Sequence, residues 1–332
     1  TGLGVDVFAA LTSGDNNVAV GYTALANNTT ASRNIAVGGA SMFDNTTGSE
    51  NVAVGFNSLT NNTEGNRNVS LGDASSLLNT TVSAPVSVGQ QALRTNTTGR
   101  NNVAVGQKAL FANTTASFNT AVGYAALTAN TTGAGNTTVG YLTGEDLTTG
   151  SSNTFMGNQT GKNTTTTSSN SAFGSAALQT NTTGANNTAI GADALRNNTT
   201  ASENVAVGSS AGRGGTTSTG NTDVGYRAGY STTTGYQNTR LGIDAGYGNT
   251  TAYNNVHIGI NSGYGNTTGA ENVTMGLLAG RYMASSNYNT FLGSRAGYQA
   301  TSSENVCIGA YTGVSFTSSY HNTIIGYNAQ TN

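Results

Sequence analysis

A glycine that closes a short apolar triplet returns every 17 residues along nearly the whole chain, and no other feature limits the possible folds so tightly. Asn17-Val18-Ala19-Val20-Gly21 shows the unit, and the anchoring glycine recurs at Gly38, Gly55, Gly72 and onward in unbroken steps to Gly293. One residue then drops out before Gly309, and a last full step reaches Gly326. With Gly4 in the same phase there are twenty anchors in 332 residues. A fixed period of this length marks a stacked-repeat architecture, in which each unit buries its apolar side only against its neighbours. Composition alone leaves disorder open, because the chain has 46 glycines and only 8% charged residues. Disorder requires no register, however, and here the 36% of apolar residues hold fixed places in the repeat.

Each column of the repeat asks for a physical reason. The residue before the anchor is always apolar (Val20, Val37, Val54, Leu71, through Leu292, Ile308 and Ile325), and two earlier sits mostly Val or Thr, with Ser171 an exception. Alternation over a short β-branched run predicts a strand, with these two flank columns pointing into the coil's core. Four before the anchor stands asparagine in every coil except one, where Pro85 replaces it, and stacked amides at the strand spacing predict a hydrogen-bonded ladder. Asn-Thr-Thr, as in Asn28-Thr29-Thr30 and Asn96-Thr97-Thr98, reads as a turn. Small–apolar pairs such as Ala24-Leu25 and Ala92-Leu93 read as a second strand. The fold expected is an all-β parallel β-solenoid of about twenty coils, forming a stack on the order of 90–100 Å long. It is one continuous repeat domain with a change of composition near Gly208. Residues 1–207 carry Ala-Leu in the second segment, and residues 208–332 carry Ala-Gly-Tyr.

The column two before the anchor bears on assembly. On the alternation above it points away from the core, yet it reads Ala19, Ala36, Ala53, Ser70, Ser87, Ala104 and, later, Phe155, Phe291, Cys307 and Ile324. Apolar residues outside the core imply a second buried face, and a symmetric homo-oligomer is the economical way to cover it. Three successive coils place Asp223, Arg240 and His257 in that column. They read either as an exposed charged patch or as inter-chain rings of acid and base about an oligomer axis.

Units such as NNVAVGYTALANNTTAS and NNTAIGADALRNNTTAS resemble the head repeats of trimeric autotransporter adhesins, and more closely the NTAxGxxALxxNTTG arrays of bacteriophage tail-fibre proteins. The resemblance covers essentially the entire chain. It implies a left-handed β-roll, a homotrimer, and an adhesive or receptor-binding fibre outside the cell, on a virion tail or a cell surface. The adhesin heads have a shorter repeat, and neither coiled-coil stalk, membrane anchor nor self-cleaving chaperone domain is present in the sequence. The first residue, Thr1, and the lack of a signal peptide suggest a segment processed or excised from something longer.

Enzymatic chemistry finds little footing. The fourteen carboxylates lie mostly in different columns, with only Glu145-Asp146 adjacent, so a facing pair for glycoside hydrolysis is not suggested. His257 and His321 lack an evident partner for nucleophilic or metal chemistry, and no cofactor motif occurs. A net charge of −2 gives no handle for nucleic acid, and no apolar run is long enough for membrane insertion. Two surfaces merit weighing. The threonines of Asn-Thr-Thr invite an ice-binding reading, and the same tripeptide is an N-glycosylation sequon. Tyr230, Tyr247, Tyr264 and Tyr298 form a column that is either a core or edge filler or an aromatic stripe for a cell-surface glycan or receptor. The functional expectation is a non-enzymatic structural or adhesive fibre segment. The alternatives are an ice-binding solenoid and a self-assembling extracellular filament.

Overall fold

The computed structural model describes residues 1–315, Ser318 and 320–330, and these form an all-β solenoid without helix. Two compact units divide at 169/170, so the compositional change near Gly208 lies inside the second unit rather than at a boundary. The first unit, Thr1–Ser169, carries β1 (Gly2–Leu3), β2 (Val18–Val20) and one three-residue strand per coil through β10 (Thr154–Met156). The second, Asn170–Asn332, runs from β11 (Ser171–Phe173) to β20 (Thr323–Ile325). Within each unit the strands are parallel, and each residue pairs with its equivalent one coil away, as Ala19 does with Ala36 and Ala189 with Ala206. Where the sequence drops a residue the pairing step shortens with it, and Phe291 pairs with Cys307.

The anchor glycine makes this stacking possible. Gly21, Gly106 and Gly225 have φ of 136°, 131° and 134°, a region that side-chain-bearing residues avoid. A Cβ on Gly106 would also sit 2.3 Å from the carbonyl oxygen of Gly123 in the next coil. The backbones touch here.

Two asparagine ladders run along the coils, the second interrupted at Leu147, Thr164, Gly215, Thr232, Met283 and Ala300. The one before the strand links successive coils, with the Asn34 backbone N–H donating to Asn17 Oδ1 at 2.9 Å and Asn51 to Asn34 at 2.9 Å. Its amide nitrogen reaches across the coil, Asn34 Nδ2 donating to Gly48 O. The second ladder is the asparagine of Asn-Thr-Thr: Asn45 Nδ2 donates to the same Gly48 carbonyl and to Asn28 Oδ1. Two columns thus converge on one acceptor, and both are buried. Pro85 tests the logic. It has no N–H to give, and the buried amide of Asn68 is left without a hydrogen-bond partner on either atom.

The alternation expected of the strands is present, but in the opposite phase. In every strand from β2 to β20 the middle residue is buried and both flanks are not. Ala19, Ala36 and Ala53 therefore face the chain's own lumen, while Val18, Val20 and Ile35 face out. The expected second strand is absent too. Residues 22–27 are turn, with Thr23 and Leu25 left-handed at φ of 54° and 51°. That winding lets the adjacent Ala24 and Leu25 both point inward, which an extended segment would forbid.

Two columns share the limited space of the lumen. Where the strand contributes Ala or Ser, the residue four after the anchor is usually Leu or Met, as in Ala19 with Leu25 and Ala36 with Met42. Where the strand contributes a larger residue, from Thr138 to Cys307, that position is glycine, and only the last coil, Ile324 with Gln330, departs from this. A Cβ on Gly161 would lie 2.6 Å from the Phe155 ring, and one on Gly297 2.4 Å from Phe291. Ala206 with Gly212 is small on both sides, and Leu195 and Asp223 of the flanking coils fill the space.

Two substitutions check this account. Gly106→Ala should destabilise the first unit by at least about 3 kcal/mol in urea denaturation, because it combines a forbidden φ with a backbone clash. Gly133→Ala, whose column holds alanine at Ala31 and Ala116, should be nearly neutral although its Cβ would also approach the next coil. Conversely, Pro85→Asn should restore the ladder and raise stability by about 1–3 kcal/mol in the same assay.

Candidate functional site

The strands' outer face is set apart by the charge it lacks. No residue of either flank column, from Val18 to Ile325, is charged, and the column just after the anchor holds a single charge, Asp73. Large apolar groups on this face lie open to solvent, among them Ile35, Phe56 and Met156 in the first unit and Phe173, Ile190, Leu241, Ile243 and Met275 in the second. Phe56 is 61% exposed and Leu241 46%. Charge is instead confined to the turns and to one lumenal cluster. Thus uncharged columns rich in apolar residues do run along the coils of each unit, but they are the two strand flanks. The alanine column, which the sequence assigned to a partner, fills the lumen.

Asp223, Arg240 and His257 occupy that lumen. They belong to β14 (Thr222–Val224), β15 (Thr239–Leu241) and β16 (Val256–Ile258), stand opposite one another in register, and are all buried. Neither an exposed patch nor an inter-chain ring describes them. They point inward because they are middle residues of their strands, and Gly229, Gly246 and Gly263 make room. A Cβ on Gly246 would lie 2.4 Å from Arg240 Cδ. The guanidinium binds Asp223 through two nitrogens, Nε to Oδ1 at 2.5 Å and Nη2 to Oδ2 at 3.2 Å, and Nη1 donates to Thr232 Oγ1 at 2.7 Å. Burial pushes the Asp223 carboxyl up from its ordinary value, and Arg240 pulls against that rise. His257 lies between Thr274 and Asn266; burial, and then the Arg240 charge, push its pKa down to about 3. Cys307 is a further lumenal group, its thiol pushed up to about 12 by burial.

Tyr230, Tyr247 and Tyr264 form a ladder on the flank of the second unit. Their ring centroids are 5.1 Å and 5.0 Å apart with planes within 5° of parallel. Arginines close both ends: Arg213 over Tyr230, with Nη1 donating to its hydroxyl at 2.5 Å, and Arg281 over Tyr264. Tyr298 stands apart, edge-on to Tyr282 and next to Arg295. A sugar stacks on an open ring face, and in the ladder the faces of Tyr247 are turned toward its two neighbours. The geometry suits the filler reading of this column better than a glycan platform.

The threonine turns are likewise committed to structure. Thr29, Thr46, Thr97 and Thr114 each donate their hydroxyl to the carbonyl of the equivalent threonine in the next coil. The sequon asparagines Asn28, Asn45, Asn96 and Asn113 are completely buried. A folded coil offers no access to their amides. Among the described residues no group of three or more His, Cys, Asp or Glu is placed to hold a metal ion, and no helix is long and apolar enough to cross a membrane.

Comparison with protein families, curated proteins and solved structures finds no match for this chain.

Removing one member of the lumenal ion pair should be far worse than removing both. Arg240→Phe alone leaves Asp223 buried and unpaired, and should cost about 3–5 kcal/mol in urea denaturation of the intact chain. Adding Asp223→Thr should recover most of that loss, because Thr138 with Gly144 and Phe155 with Gly161 show the same volumes beside glycine elsewhere in the lumen.

Proposed function

We propose that this protein is a non-enzymatic structural segment of an extracellular fibre, of the tail-fibre or surface-adhesin kind, whose copies associate through the outer faces of their strands. The observation that carries this reading is the charge-free apolar strand face. Solvated surfaces carry charges of both signs interspersed, and interface centres are depleted in charge. On the strand flanks such charge is absent for coil after coil. The repeat's resemblance to trimeric fibres supplies the number three, and a closed cyclic trimer gives each copy the same neighbours along its length. Such an assembly would project a binding region or hold a receptor through many weak lateral contacts.

A second reading draws on the same face. In the first unit it carries Val, Ile or Thr three before the anchor and mostly Val one before it, two regular ranks of methyl groups at the strand spacing. A monomer presenting those ranks could order water, which makes an ice-binding solenoid the alternative. The bulkier Phe173, Leu241 and Met275 of the second unit break that regularity and favour the fibre.

Light scattering coupled to size exclusion separates the two. The fibre reading expects three times the 33.4 kDa chain mass. It also expects that Val105→Asp with Val122→Asp lowers the mass to that of one chain while the β-sheet circular dichroism is kept. A native monomer would rule out association through this face and leave ice recrystallisation as the assay to run next.

A further inference from the structure

The hydrogen-bond network around His257 admits only one protonation state. Ser262 Oγ donates to the Thr274 carbonyl at 2.9 Å, so its contact with Thr274 Oγ1 at 2.7 Å must be a bond it accepts. The Thr274 hydroxyl proton is thereby used, and the 2.7 Å contact between Thr274 Oγ1 and His257 Nδ1 has to be donated by the imidazole. That makes His257 the neutral Nδ1–H tautomer. Its other nitrogen, Nε2, faces Asn266 Nδ2 at 3.4 Å. The Asn266 amide cannot turn its oxygen toward the ring, because Oδ1 accepts the Gly269 N–H at 2.9 Å while Nδ2 donates to Gly269 O at 3.0 Å. A proton added to Nε2 would meet an N–H instead of an acceptor.

The surrounding charges offer no relief. From β15 the Arg240 guanidinium faces the ring one coil below, and its one carboxylate partner, Asp223 of β14, is already engaged by two of its nitrogens. From β17 (Val273–Met275) the facing residue is Thr274, and the turn of the same coil contributes Ser262, Gly263 and Asn266, none of them titratable. Asn249 of the preceding coil is buried and neutral. Imidazolium would therefore be a second cation beside Arg240, in a lumen sealed from water.

We propose that His257 is an acid-released latch of the second unit: protonation of its imidazole is incompatible with the closed lumen, so acidification opens the coils of β15 to β17 while the apolar coils elsewhere stay shut. The latch acts locally because each coil is held only by its neighbours. The sign follows from linkage. The folded imidazole resists protonation down to about 3, whereas the opened one takes a proton below about 6.5. Stability conferred by the neutral ring is complete above 6.5 and is lost as pH falls from there toward 3. Asp223, whose carboxyl is pushed up, acts in the opposite sense, and a comparison at fixed Asp223 isolates the histidine.

Amide hydrogen exchange of the full chain at pH 7.5 and pH 5.0, corrected for the intrinsic pH dependence of exchange, tests the latch. His257→Phe, which copies the native pairing of Phe155 with Gly161, keeps Asp223 and so serves as the reference. On going to pH 5.0 the protection of Val256 and Val273 should fall about 30-fold further in the native chain than in that variant. Val103–Val105 in the first unit should show no such difference. An equal change in the native chain and the Phe variant overturns the proposal. Should that variant not fold, imidazole nitrogen shifts of the native chain decide, since its only other histidine is His321. A ring that stays neutral and Nδ1-protonated until the coil opens supports the latch. A ring that is protonated at pH 5.0 inside a still-protected coil overturns it.

Discussion

Contact between backbones at the anchor glycines is the constraint on which everything else here depends. A carbonyl of one coil comes so near the Cα of the coil before it that no side chain fits between them. With the coils locked at that separation, the strand ladder, the asparagine ladders and the threonine hydroxyls all come into register, since each bonds a residue to its equivalent in the next coil or to that residue's neighbour. The same contact fixes how far the strand stands from the turn opposite. Within each unit the strand and the turn opposite then share a limited lumenal space, which the two columns, or the coils beside them, must fill. Alanine with leucine fills it, and so does phenylalanine or arginine with glycine.

This explains which parts of the fold were legible in the sequence. The period, the strand before each anchor and the asparagine ladder each follow from a residue type repeated for one physical reason, and the structure has them; Asn-Thr-Thr is a bend, and the turn lies before it, where a second strand was expected. The phase of the strands did not follow. In a three-residue strand such as Val18-Ala19-Val20, hydrophobicity says that the valines should be inside, and nothing local contradicts it. The contradicting signal lies across the coil, in the exchange of Leu25 for Gly161 or Gly297 whenever the strand's middle residue grows. Only a column that faces another column shows such compensation. The change from Ala-Leu to Ala-Gly-Tyr near Gly208 is the same signal in bulk, and it marks a wider strand residue rather than a new domain. The left-handed conformation of Leu25 was equally hidden, because leucine carries no local preference for it.

The candidate site residues were legible as exceptions but not as to place. Asp223, Arg240 and His257 stand out in their column, but both readings of them, an exposed patch and inter-chain rings, put them on the wrong side of the strand. Tyr230, Tyr247 and Tyr264 likewise stand out. Yet the two arginines that close their stack, Arg213 and Arg281, fall in the same column as the tyrosines and could have been read as part of one ladder. A column that mixes tyrosine and arginine at the strand spacing is the composition expected of rings and guanidinium planes stacked on each other.

The tripeptide Thr239-Arg240-Leu241 brings the argument about assembly to a point. Its arginine is fully buried and its leucine is exposed, the reverse of what water would select for a single strand. The orientation cannot be chosen strand by strand, because each strand inherits its phase from the ladder, and a one-residue slip would turn every side chain of the coil over. Burying a charge is costly, and here Asp223, Thr232 and a glycine at position 246 are all needed to make it tolerable. The chain accepts that arrangement inside and yet places no charge at all on the two outward flank columns. A chain able to bury an arginine is not avoiding charge in general. Its avoidance of charge on the strand flanks is therefore specific to them, and that selectivity, rather than a general scarcity of charge, is what the proposed association through this face rests on.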